Sequence, residues 1–112
     1  MAPDLLPIDP LSQVCFVQGY LQLVFQDSGY TIYNSSTLTV HGKAWQFGES
    51  GFADNLIALI GHGLASVSTA GSASIALVFA NGAVLSVASG GLGPEAWQYG
   101  SVNGPVVVEQ NA

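Results

Sequence analysis

The chain has 112 residues and a formal net charge of −6, from seven carboxylates set against a single cation, Lys43. Phosphate backbones are bound by several Lys or Arg that displace counterions, so nucleic acid is excluded as a partner class and anionic membrane surfaces are disfavoured. Only 7% of residues are charged, where about a quarter is usual, while 49% are hydrophobic, so one folded domain over residues 1–112 with a neutral polar surface is expected.

The first dozen residues read as an extended arm punctuated by Pro3, Pro7 and Pro10, with Asp4 and Asp9 at turns. They lack a basic segment before an apolar one, so no signal peptide is expected. No apolar run reaches the roughly 18 residues of a membrane span. Cys15 is the sole cysteine, which leaves no intrachain disulfide and suits a small buried thiol. The expected location is therefore cytoplasmic.

Strands are expected at about 14–18 and 21–26, with Gly19 as a turn or bulge between them and Asp27-Ser28-Gly29 as the next turn. Tyr30–Tyr33 returns, Thr37–His41 is a further strand, and Lys43–Phe47 continues it or begins another. After a turn at Gly48–Gly51, Asp54–Ile60 reads as the one helix. Asp54 would cap it, Leu56, Ile57, Leu59 and Ile60 would form its apolar side, and Gly61 and Gly63 would stop it. Leu64–Thr69 is a strand, followed by a Gly/Ser turn at 71–74.

Ile75–Val87 is the strongest hairpin pattern in the chain. Asn81-Gly82 suits a two-residue type I′ turn, which would set Val84 opposite Phe79 and Leu85 opposite Val78. A glycine-rich loop at 90–94, strands at 95–99 and 106–109, and a fraying tail 110–112 complete the chain.

An earlier stretch echoes this hairpin. Leu23-Val24-Phe25 matches Leu77-Val78-Phe79, Val14 matches Val67, and Lys43-Ala-Trp-Gln-Phe-Gly48 matches Glu95-Ala-Trp-Gln-Tyr-Gly100. Three ordered matches at a period near 53 residues predict an internal duplication, with pseudo-repeats at about 12–53 and 64–109. The fold expected is mainly β (α+β): an antiparallel β-sandwich or barrel built from the two repeats, with one short helix between them. Trp45 and Trp97 would then anchor the core at symmetry-related places.

No catalytic constellation is legible. His41 and His62 have no companions at metal-ligand spacing, no Gly-x-Ser-x-Gly elbow occurs, and the glycine-rich stretches lack the strand, turn, helix and lysine of a phosphate loop. The reading is therefore a non-enzyme with no metal and no cofactor. Asp27, Glu49, Asp54 and Glu95 fall in expected turns or element ends, where they could face a cationic protein. Trp45 and Trp97, if half exposed, could serve with them as interface hot spots.

The hairpin at Ile75–Val87, the strand Gly63–Val67 and the segment Glu95–Trp97 together resemble an uncharacterised group of small bacterial domains, and Leu56–Gly61 resembles the helix before them. The hairpin departs from that pattern only in having Ile75 for Leu. Some proteins of this style are similar to immunity proteins of toxin–immunity systems. The resemblance implies a protein partner, a basic toxin domain blocked by occlusion, and transfers no catalytic residue. A self-associating structural module, possible as a homo-oligomer, is the alternative expectation.

Overall fold

In a computed structural model, residues 5–69, 74–91, 93–101 and 106–111 are described. They form, in chain order, β1 (Gln13–Val17), β2 (Tyr20–Phe25), β3 (Ser28–Ile32), β4 (Ser36–Val40), β5 (Lys43–Gln46), α1 (Phe52–Ile57), β6 (Leu64–Thr69), β7 (Ile75–Phe79), β8 (Val84–Val87), β9 (Glu95–Ser101) and β10 (Val107–Gln110). Two antiparallel five-stranded sheets stack as a sandwich, one in the order β1-β2-β3-β9-β10 and the other β5-β4-β8-β7-β6.

The halves follow one plan and interlock. Each contributes a three-stranded meander to one sheet and a hairpin to the other: β4–β5 joins the sheet of the second half, and β9–β10 joins that of the first. Register makes the correspondence residue by residue. Val14 faces Leu23 as Val67 faces Leu77, and Leu21 faces Ile32 as Ile75 faces Val87. Phe25 and Phe79 each end their strand, and both are buried.

The paired tryptophan segments do not obey that register. Ile32 faces Trp97 while Val87 faces Ser36, so the structural counterpart of Trp97 is Ser36. Trp45 lies on edge strand β5 opposite Leu38, where the second half places Val107 opposite Tyr99. The expectation of symmetry-related indoles is thus corrected. Trp97 is 2% exposed between sheet neighbours, and Trp45 is half-buried at an edge against Gly51. The strands were displaced from the sequence match by a longer connection before β9 than before β4.

Turn chemistry explains the other departures. His41 and Gly42 both have positive φ, 50° and 80°, so the type I′ geometry falls there and closes β4 onto β5. At Asn81-Gly82 only Gly82 has positive φ. Phe79 N–H donates to the Ala83 carbonyl, giving a three-residue loop with Gly82 in the left-handed position. The register moves by one, and Val84 faces Val78 while Leu85 faces Leu77. That places Leu77, Phe79, Leu85 and Val87 together in the core. In the first half the turn is Gln26-Asp27, with Gln26 at φ 66°, and Gly29 is a strand residue.

The helix begins at Phe52, two residues before the expected cap. Gly51 at φ 99° is its N-cap, and the Asn55 side-chain amide donates to the Gly51 carbonyl at 2.7 Å. Asp54 lies in the first turn and makes no cap bond. Phe52, Leu56 and Leu59 are buried, whereas Ile57 and Ile60 are exposed, so the apolar side is narrower than expected. A six-residue helix is held by this packing and not by its own propensity.

The tail does not fray at Asn111. Gln110 ends β10, and Asn111 is bound through backbone and side chain. The turn expected at 71–74 lies, apart from Ser74, outside the described residues, as do Asp4, Leu92 and Ala112.

Candidate functional site

Each half crosses between sheets once. The first crossover, residues 33–35, leaves β3 and enters β4; the second, 88–94, leaves β8 and enters β9. They are stitched together: Tyr33 and Asn34 N–H groups donate to the Ala96 carbonyl, and Ala88 N–H donates to Ser35.

Around the first crossover an open cleft of about 210 Å³ is lined by Gly19, Tyr20, Ile32, Tyr33, Asn34, Ser35 and Phe47. Tyr20 and Tyr33 are cross-strand neighbours beside the β2–β3 ladder, and their ring centroids lie 5.7 Å apart. Phe47 enters from the other sheet, where its N–H donates to the Ser36 carbonyl. Its ring meets Phe16 edge-on at 6.3 Å and Phe52 at 5.4 Å. Phe16, Tyr33 and Phe47 are 41%, 36% and 37% exposed, so one side of this aromatic row faces solvent. Large rings that are part buried in place and part exposed are the material of interface hot spots.

The electrostatics around the cleft are acidic. The Tyr33 phenol is raised above its ordinary value of 10.0, first by burial, then by the Glu95 carboxylate and by Tyr20. Glu95 therefore stands near the cleft. Glu49 lies two residues beyond Phe47, and its Oε1 accepts a hydrogen bond from Gln46 N–H at 2.6 Å.

The second crossover is closed by an amide pair. Asn34 Nδ2 donates to Asn111 Oδ1 at 2.7 Å, and Asn111 Nδ2 returns a bond to Asn34 Oδ1 at 2.9 Å. Asn34 also donates to the Ala88 carbonyl, and Asn111 to the carbonyls of Gly93 and Glu95. Gly91 N–H donates to Asn111 Oδ1, and a Cβ at Gly91 would lie 1.9 Å from Asn34 Oδ1, so this close approach requires glycine.

The residues singled out from sequence divide accordingly. Glu95 stands near the cleft, and Glu49 follows the cleft residue Phe47 by two positions, its carboxylate on the Gln46 N–H. Trp45 and exposed Asp54 lie on the adjoining segment from β5 to α1. Asp27 sits at the opposite end of β3, about 20 Å away at 3.3 Å per strand residue. Trp97 is buried beside Tyr30, with ring centroids 6.1 Å apart, so it cannot touch a partner and its role is packing.

Sequence reasoning missed Tyr20, Tyr33, Phe47 and Phe16. One signal was present: at the period set by Phe25 and Phe79, the second half has Ser74 and Val87 where the first has Tyr20 and Tyr33. Aromatics that depart from a repeat answer to something other than its core.

Among the described residues no group of three His, Cys, Asp or Glu side chains is placed to hold a metal. His41 occupies the β4–β5 turn, and His62 follows α1; both are exposed. Among the described residues no helix is long and apolar enough to cross a membrane. Comparison with protein-family models, curated proteins and solved structures gave no match to this chain.

Proposed function

We propose that this protein is a non-enzymatic binding module that engages a basic protein through the cleft at its first crossover, in the manner of an immunity-type inhibitor occluding a toxin domain. The observation that supports this reading is the half-exposed row Tyr20, Tyr33, Phe47 and Phe16 beside the carboxylates Glu49 and Glu95. The rings supply apolar contact at low conformational cost, since their inner faces are already fixed by packing. The carboxylates and the net charge of −6 supply attraction toward a cationic surface and speed its approach.

The reading is tested by affinity capture from the source cells with the full chain as bait, in parallel with Tyr33→Ala and Phe47→Ala baits. The expected result is a cationic polypeptide retained by the parent and lost from both variants, its activity blocked on binding. Capture that is equal on all three baits, or of a partner insensitive to salt, would count against it.

A further inference from the structure

We infer that the free edge of β1 pairs antiparallel with β1 of a second copy, joining two sandwiches into one continuous sheet centred on Cys15. This does not rest on the identity of any foreign partner.

Four edge strands are present among the described residues, and three are guarded. β5 carries Lys43, and the outward N–H of Gln46 is occupied by Glu49. β10 carries Glu109 and breaks register between Glu109 and Gln110. β6 breaks register between Leu64 and Ser66, and it presents Ser66, Ser68 and Thr69 to solvent. Charges and irregular register of these kinds block edge pairing.

β1 has neither a charge nor a break in register, and α1 packs beside it without covering Phe16 or Val17. Gln13-Val-Cys-Phe-Val17 carries no charge and no proline, and its ladder with β2 is unbroken throughout. It also leaves Phe16 and Val17 exposed, 41% and 37%. An exposed, regular, apolar edge of this type is a template for another strand.

The register selects a second β1 as that strand. Val17 faces Tyr20 across a two-residue loop, so these residues exchange backbone bonds, as do Cys15 and Gln22. Val14 and Phe16 therefore turn their N–H and C=O groups outward. Outside the β1–β2 ladder, no backbone hydrogen bond among the described residues reaches them. A two-fold axis at Cys15 pairs Val14 of each copy with Phe16 of the other, which satisfies all of these groups. It also makes two β-branched–aromatic cross-strand contacts, a favourable combination. Cys15 then faces its mate in a non-hydrogen-bonded pair, with Cα atoms about 4.5 Å apart, inside the range a disulfide can span. The absence of charge on β1 matters here because each copy bears −6.

Sedimentation of the full chain over a dilution series, with and without added salt, tests the pairing. A reversible dimer that tightens with salt is expected, and Phe16→Lys should abolish it while leaving the far-ultraviolet circular dichroism unchanged. Diamide, which takes the two thiol hydrogens as the S–S bond forms, should link the parent through Cys15 but not Phe16→Lys. Phe16→Pro, which removes the outward donor together with the ring, should act like Phe16→Lys. A control, Cys15→Ser with Ser68→Cys, puts the thiol at the matching place on β6 and should not link. A monomer at every concentration, a dimer that survives both Phe16 substitutions, or equal linking of the β6 control would overturn the proposal.

Discussion

At the first crossover, three residues carry the chain from β3 to β4 and leave open the cleft rimmed by Tyr20, Tyr33 and Phe47. At the second, Ala88, Gly91 and Gly93 are held by the reciprocal amides of Asn34 and Asn111. The two sites are related by the strand plan, yet one leaves an open aromatic cleft and the other is a fastening. The comparison teaches that the shared plan constrains the core, where Phe25 and Phe79 or Leu23 and Leu77 stand in matching places. The connections are free to diverge, and the candidate recognition residues lie where they have done so.

The largest expected effect concerns the core beneath the second crossover. Trp97→Ala should lower unfolding free energy by about 3–5 kcal/mol in urea melts, because it empties a fully packed site. Trp45→Ala, at a half-buried edge, should cost less. Equal costs would return the two indoles to equivalent roles and break the comparison.

The fastening comes next. Asn111→Ala and Asn34→Ala should each cost about 1–3 kcal/mol, since each strands polar partners in a part-buried network. The double variant should lose less than the sum of the two, because either change alone already opens the pair. Strict additivity would show that the amides act separately.

The smallest effect belongs to the cleft. Burial and Glu95 raise the Tyr33 phenol in the folded chain. A raised folded value means that its contribution to stability is fully present below the unfolded value of 10.0 and is lost as pH rises through the folded value. Ultraviolet difference titration of the parent against Tyr33→Phe should show that Tyr33 ionises late, and Glu95→Gln should move it only part of the way back, because burial is the leading cause. A Tyr33 that titrates normally in the parent would remove the acid rim from the cleft.

Much of the scaffold was legible. Alternating Ile75, Leu77 and Phe79 announced a core strand, and the echo at Leu23–Phe25 pointed to the matching meander. Local chemistry misled where two turns were both permitted. Asn81-Gly82 fits type I′ on its own, but the three-residue loop is the one that brings Leu85 and Val87 inward against Leu77 and Ile75. His41-Gly42, with both residues at positive φ, is the better hairpin turn, and the strand-forming residues on either side mask it in the sequence. The tryptophan match failed because identity of sequence was read as identity of place, while sheet register decides place. Trp97 could be assigned to packing only once its strand was seen in the sheet interior. The cleft was hidden for a related reason: Phe47 meets Tyr20 and Tyr33 only because the β4–β5 hairpin belongs to the other sheet.

The most direct test of the recognition role is calorimetric titration of the captured basic partner against the parent, Tyr33→Ala, and Ser89→Ala at the exposed second crossover. Tyr33→Ala should weaken binding by about 30-fold or more, the loss of a hot spot worth roughly 2 kcal/mol, and Ser89→Ala should leave it unchanged. Undiminished affinity in Tyr33→Ala, or a comparable loss in Ser89→Ala, would contradict the assignment of contact to the first crossover.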